Sequence, residues 1–182
     1  ARAEGSTMTD ARIDEHAEAL VISGAGPRPA SALLRGPRAT VPAKLTGGGK
    51  SWKANFPLHV SRWGGEDLPL PTGEYTLEIA DADLAELSIV PTLLDRLRVE
   101  VHGQAVSVAG PIDPVFETPE GQSTLEERYA AQPGGGENAV FFESFYGHSA
   151  GCNPRAIDRE LARRAPAVRR YWSVKDLSVA VP

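Results

Sequence analysis

From Glu18 to about Gly110 the chain is a succession of short apolar or alternating runs, separated by glycine and proline that leave little room for long helices. The runs are 19–22, 31–34, 39–45, 52–58, 74–79, 97–101 and 105–108. Tyr75, Leu77 and Ile79 alternate with Thr76 and Glu78, and Leu97, Val99 and Val101 alternate with Arg98 and Glu100. Such period-two patterns mark strands with one face buried and the other in water. His102-Gly103-Gln104 reads as a hairpin connection between the last two runs. Seven short strands at this spacing predict a mainly β fold, an immunoglobulin-like β-sandwich over residues 18–110. Pro42 and Pro57 lie inside runs, so their strands are expected to be edges or to break there. Residues 83–94 fit neither the helical nor the strand period and read as an irregular connection, and residues 1–17 read as a disordered N-terminal segment.

Composition sets the outer bounds. A chain of 182 residues, 41% hydrophobic and 24% charged, fits a globular protein that buries a core without disulfides. Cys152 is the single cysteine, which excludes an intramolecular disulfide and any CxxC site. No apolar run approaches the roughly 20 residues of a membrane span. The stretch Ala1-Arg2-Ala3-Glu4-Gly5-Ser6-Thr7 lacks the apolar segment of a signal peptide, and the missing initiator Met suggests a piece of a longer protein. A net charge of −5 and a pI near 5.4 argue against nucleic acid as a partner. That charge is uneven: residues 1–137 carry 12 Lys/Arg against 20 Asp/Glu, and residues 138–182 carry 7 against 4. The change falls at Pro133-Gly134-Gly135-Gly136, where the domain boundary is expected. Residues 111–137, which include it, read as linker, with one or two helical turns over 124–129.

Beyond the boundary, residues 139–145 are nearly continuous in apolar character, as in a parallel strand covered on both faces. A loop, Tyr146 to Cys152, leads to Asn153-Pro154, which reads as an N-cap followed by proline at the first helical position. Ile157, Leu161 and Ala165 form one apolar stripe, Pro166 ends the helix, and residues 170–174 form the next strand. The expected unit over 138–182 is an incomplete Rossmann-like βαβ, whose sheet face and edge require more chain, the sandwich or a second copy to cover them.

Phe142-Glu143-Ser144-Phe145-Tyr146-Gly147-His148, followed by Asn153-Pro154-Arg155-Ala156-Ile157, resembles the opening of the CDP-glycerol glycerophosphotransferase family. Residues 171–176 are similar to that family's second strand, and the first segment, with its Leu70-Pro71-Thr72-Gly73-Glu74-Tyr75 turn into a strand, is similar to the β-sandwich that precedes some of these catalytic domains. The resemblance covers about a quarter of the chain, 138–182. It implies a GT-B catalytic domain that polymerises teichoic-acid-type chains, with residues 138–182 as the start of its first half. CDP-glycerol and a polyol-phosphate or glycan acceptor are the implied partners. A cytoplasmic location follows, with peripheral association at the inner face of the membrane and homo-oligomerisation as further options for the parent protein. The sequence departs from the family at His148, where Lys or Arg is commoner, and at Gly151-Cys152, which replaces Ser-Asp. The family's histidine motifs and nucleotide-binding half lie further along the polypeptide, so the expected catalytic residues fall outside this chain, and the fragment alone is expected to be inactive.

The candidate substrate-binding residues on the acceptor side are Glu143, Ser144, Tyr146, Gly147, His148 and Asn153. A strand-to-helix loop at the carboxyl end of a parallel strand is where α/β folds bind ligands, and helix N-termini favour anions. The same loop also reads as a structural turn that needs Gly147 and Gly151 for its backbone. Glu143 either orients an acceptor hydroxyl or accepts hydrogen bonds from the loop amides, the second being favoured. Gly49-Lys50-Ser51 lacks the earlier glycine of a P-loop, because that position is Lys44. Asp81-Ala82-Asp83 mimics a DxD metal site but reads better as a solvated turn, and His16, His59, His102 and His148 have no ligand-pair spacing, so neither metal nor cofactor is expected. Arg163, Arg164, Arg169 and Arg170 suit either anionic head groups or a solvated helix face with ion pairs. The alternative function, from a different class, is a non-catalytic β-sandwich for carbohydrate binding or assembly.

Overall fold

A computed structural model of the chain describes residues 6–61, 64–80, 82–83, 87–132 and 138–182. The fold is mainly β, and the chain divides into two compact units, Ala1–Pro111 and Ile112–Pro182. The first unit contains β1 (Ser6–Asp14), β2 (Ala19–Ala25), β3 (Ala32–Arg35), β4 (Thr40–Pro42), β5 (Lys44–Gly48), β6 (Ser51–Pro57) and β7 (His59–Ser61). It continues with β8 (Asp67–Pro69), β9 (Gly73–Ile79), β10 (Ala82–Asp83), β11 (Ser88–Leu93), β12 (Arg98–His102) and β13 (Ala105–Ala109). The second contains α1 (Pro119–Ala130), β14 (Ala139–Glu143), α2 (Cys152–Arg164) and β15 (Arg169–Ser173).

Alternation builds the first unit. Along β6 Trp52, Ala54 and Phe56 are buried, and along β9 Tyr75, Leu77 and Ile79 are buried, while residues between them face outward. Two sheets result, ordered β10-β1-β2-β6-β5 and β11-β12-β13-β9-β3-β4, with β7 and β8 as a separate ribbon. Leu20, Ile22, Trp52 and Phe56 from the first sheet join Leu34, Tyr75, Leu77, Val99 and Val106 from the second in a single core. Each such side chain contributes about 1.5–3 kcal/mol when fully buried. Gly24 stands opposite Trp52 in the ladder, and a Cβ there would lie 2.1 Å from the indole ring, so the absence of a side chain on β2 makes the tryptophan's place in the core.

Three expectations change. Residues 1–17 are not a disordered segment as far as they are described: Ser6–Asp14 is a full strand paired antiparallel with β2. A register shift between Met8 and Asp10 puts Met8, Ala11 and Ile13 against the core, a phase change that conceals the period-two pattern. Within the supposed irregular connection 83–94, Ser88–Leu93 forms β11, which is paired to β12 with a register shift between Ile89 and Thr92. Pro91 sits within that irregularity on an edge strand, where its missing N–H costs no ladder bond. The single run 39–45 splits at Ala43 into β4 and β5, edge strands of different sheets. Pro57 ends β6, beyond the last residue that pairs with β5.

In the second unit the expected linker 111–137 holds more order than anticipated. Pro114–Glu117 forms a 3-10 turn, and α1 begins at Pro119, with Thr118 Oγ1 accepting a hydrogen bond from the Gly121 amide at 3.0 Å. The helix runs over 12 residues, starting ahead of the turns expected at 124–129 because the cap and N1 proline lie in a stretch with little apolar content. The boundary expected at Pro133–Gly136 lies outside the described residues; the division into units falls at Pro111/Ile112.

β14 and β15 pair in parallel, from Ala139 opposite Arg169 to Glu143 opposite Ser173, and α2 lies between them in the chain. Phe142 stacks on Trp172 at 5.2 Å, and Phe141 on Tyr171 at 5.4 Å. Adjacent residues point to opposite faces. Phe142 is 6% exposed and Phe141 is 77% exposed, so one face is covered and the other open, rather than both being buried. The helix also differs from expectation. It starts at Cys152 with Gly151 as its cap and no side-chain capping bond, so Asn153 lies in the first turn and does not cap. Cys152, at φ 56°, turns the chain into the helix early. Pro154 is tolerated because first-turn amides have no intrahelical acceptor. The buried residue of α2 is Asp158, while Ile157 is 57% exposed, a rotation of the helix by about one residue from the expected stripe.

Candidate functional site

The loops that follow β14 and β15 meet at the carboxyl end of the parallel pair. After Ser144 the backbone enters the left-handed region at three successive residues, Phe145 (φ 50°), Tyr146 (φ 53°) and Gly147 (φ 75°). For non-glycine residues this conformation costs of order 1–3 kcal/mol each, so the surroundings must hold it. They do so through three backbone hydrogen bonds: Gly147 N to Ser144 O at 3.0 Å, His148 N to Phe145 O at 3.0 Å, and Lys175 N to Gly147 O at 2.9 Å. The last of these fastens the first loop to the second. A Cβ on Gly147 would come within 2.8 Å of Lys175 N, so this contact has no space for any other residue. The second loop is braced by Asp176, whose Oδ1 accepts from the Ser178 amide at 3.1 Å and from the Ser178 hydroxyl; both side chains are buried.

The six candidate residues separate by exposure. Ser144 and Gly147 are buried and belong to the frame of the loop. Tyr146, 90% exposed, and His148, also exposed, project outward, and Phe145 beside them is 58% exposed. Glu143, the last residue of β14, is exposed, and among the described residues no hydrogen bond reaches its carboxylate. The role favoured for it, accepting from the loop amides, is therefore not what holds this loop: Gly147 and His148 donate to backbone carbonyls. Asn153 is exposed on the first turn of α2, apart from the capping role expected of it.

Sequence reasoning missed Asp158. This carboxylate is 2% exposed and lies 3.3 Å from Arg170 Nη1 on β15, tying the helix to the strand pair. A buried carboxylate needs such a partner. The signal that could have found it is the arginine pair opening β15, twelve residues on. The basic cluster is largely engaged within the chain. Arg163 and Arg164 both pair with Glu160, whose carboxyl is held below the usual range by hydrogen bonds from Arg163 first and Arg164 second, while Arg163 is pushed up in turn. This favours the ion-paired helix face over a free set of cations for head groups.

Among the described residues no three His, Cys, Asp or Glu side chains come together to hold a metal ion. Asp81 of the DxD-like triplet lies outside the described residues, and Ala82–Asp83 are taken up as β10, which pairs in parallel with β1. No helix among the described residues is long and apolar enough to cross a membrane. Comparison with protein families, with curated proteins and with solved structures finds no match to this chain.

Proposed function

We propose that β14, α2 and β15 are the opening Rossmann-like unit of the catalytic domain of a CDP-glycerol-dependent glycerophosphotransferase of teichoic-acid-type polymer synthesis, and that the first unit is an immunoglobulin-like accessory sandwich. The observation that carries this reading is the strained loop Phe145–Gly147, fastened by Gly147 to Lys175 at the carboxyl end of a parallel strand pair. Open α/β sheets bind ligands at that end, and left-handed non-glycine residues gather where a backbone is held for function. The exposed faces support the same reading. Phe141 and Tyr171 on the sheet, and Ile157 on the helix, are apolar surface of the kind that further strands and helices of a GT-B half would cover.

In this reading the loop forms one wall of the acceptor cleft, with Tyr146 and His148 presented to a polyol-phosphate or glycan chain end, Glu143 and Asn153 at its margins, and Ser144 and Gly147 holding its shape. The acceptor hydroxyl gives up its proton and forms a P–O bond to the β-phosphorus of CDP-glycerol as the bond to the CMP oxygen breaks, so that glycerol phosphate is transferred and CMP and the proton leave. The contribution of these residues is positioning of the acceptor for in-line attack. Nucleotide binding and the stabilisation of charge on the transferred phosphoryl group belong to the other half of such a domain. Such an enzyme works where CDP-glycerol is made, in the cytoplasm at the inner face of the membrane.

Two features support the immunoglobulin-like reading of the sandwich. The order β1-β2-β6-β5 against β4-β3-β9-β13 follows the A-B-E-D and C′-C-F-G arrangement. Tyr75, near the start of the strand in the F position, donates its hydroxyl to Pro71 O at 2.8 Å from a buried site, as a tyrosine corner does.

The test is release of CMP from CDP-glycerol by the polypeptide of the complete reading frame that encodes this chain. Residues 1–182 alone serve as the second sample. CMP release by the complete polypeptide and none by the 182-residue chain is expected. No release by the complete polypeptide, or turnover by the 182-residue chain above a no-protein control, overturns the reading.

A further inference from the structure

Within the first unit, the ribbon β7–β8 and the edge strand β4 line an open cleft of about 420 Å³, a volume within the range of small-molecule sites. Its polar groups are set by strand geometry. Val41 is fully buried in the core, so its neighbours Thr40 and Pro42 face the other way, onto the cleft. His59 and Ser61, two residues apart on β7, share a face, and Asp67 stands directly opposite Ser61 across the ribbon. Arg38 closes one side, its Nη2 donating to Thr72 O at 3.1 Å.

His59 is held more firmly than a surface histidine. Its Nδ1 lies 3.0 Å from a carboxylate oxygen of Glu18, which assigns the Nδ1 hydrogen to that contact and leaves Nε2 as the ring atom that a ligand would meet. Glu18 itself adopts a left-handed φ of 43°, and its carbonyl accepts the Leu58 amide at 2.9 Å. The turn before β2 thus carries local strain in a residue that orients an imidazole lining a cleft.

We propose that this cleft binds a neutral carbohydrate, as one or two sugar rings of a glycan chain. Donors and acceptors both line it: the Arg38 guanidinium, the His59 ring, the Thr40 hydroxyl, the Ser61 hydroxyl, whose hydrogen goes to Gly65 O at 2.7 Å and whose oxygen can accept, and the Asp67 carboxylate. That mixture matches the paired donor and acceptor character of sugar hydroxyls. Pro42 and Val60 add apolar surface for the C–H face of a ring. The Asp67 carboxylate in the lining and the Glu18 carboxylate behind His59 outnumber the single Arg38 guanidinium and disfavour a polyanion such as a glycerol phosphate chain. Among the described residues β4 is the end strand of its sheet, which leaves its outer edge available to a chain that occupies the cleft.

This site is separate from the phosphotransferase reading and does not depend on it. The test is a glycan array, carrying neutral oligosaccharides and glycerol phosphate oligomers, probed with the intact 182-residue chain and with Asp67→Ala, Thr40→Val and Glu100→Ala. Glu100 is an exposed residue on β12, outside the cleft. Amide spectra establish that each variant retains the fold. Binding of neutral oligosaccharides is expected, weakened about tenfold or more by Asp67→Ala and measurably by Thr40→Val, and unchanged by Glu100→Ala. Titration of the bound sugar should shift the amides of 40, 41, 59–61 and 67. Silence of the neutral glycans, binding of glycerol phosphate oligomers alone, or equal binding by folded Asp67→Ala overturns the proposal. CMP release by the complete polypeptide is read separately, so failure of one reading leaves the other standing.

Discussion

Gly147 is the residue on which the geometry of the candidate site turns. It combines a left-handed φ of 75° with a backbone contact that admits no Cβ, and it accepts the hydrogen bond from Lys175. Gly147→Ala is expected to cost about 1–3 kcal/mol and to release the loop. Amide spectra check this: shifts at 144–148 and 174–178 are expected, with the first unit unchanged. A second residue-scale prediction concerns Glu78. Arg35 grips its carboxylate with two bonds, Nε to Oε1 at 2.8 Å and Nη2 to Oε2 at 3.0 Å. The hydrogen bond from Arg35 is the largest influence on the Glu78 carboxyl and lowers its pKa; partial desolvation opposes it, and charge attraction adds to it. Because the folded value is depressed, the pair's contribution is present above the unfolded carboxyl pKa near ~4.3 and is lost as pH falls through the folded value. Carboxyl NMR should place Glu78 below the ordinary range, and Arg35→Gln should return it there.

At the scale of elements, legibility followed the regularity of each strand or helix. β6, β9, β12 and β13 were readable because alternation runs through them without interruption. β1 and β11 were not, because each carries a register shift that changes the inward-facing phase in mid-strand. The crossover at Ala43 was hidden because β4 and β5 follow one another with one residue between them. The candidate loop was readable in position, through Gly147 and the strand-to-helix spacing. Its role assignments were not, since the exposure of Glu143 and the backbone clamp to Lys175 depend on tertiary pairing. The stripe of α2 shows the same limit. Ile157 and Leu161 have ideal spacing, yet the helix is turned so that Asp158 meets Arg170. An exposed Ile157 makes a definite prediction: Ile157→Ser should change the unfolding free energy of the 182-residue chain by less than about 0.5 kcal/mol, read from denaturant titration. In the complete polypeptide, where the proposed domain covers this face, the same change should cost about 1–3 kcal/mol. Equal, small effects in both would leave the stripe uncovered and contradict the proposal.

The molecule as a whole is two units of different character. The first closes a core between two sheets, while the second exposes aromatic side chains on the outer face of a two-stranded sheet and an isoleucine on its helix. Among the described residues β14 and β15 have no further strand beside them, whereas parallel sheets ordinarily have neighbours on their faces and edges. Hydrogen exchange at the Phe141 and Phe142 amides tests that claim most directly. It is measured on the 182-residue chain, dilute enough to be monomeric, and on the complete polypeptide. The account predicts weak protection in the dilute chain and strong protection in the complete polypeptide. Strong, concentration-independent protection in the monomeric 182-residue chain would mean that the strand pair is already complete, and would contradict its assignment as the opening of a larger catalytic sheet.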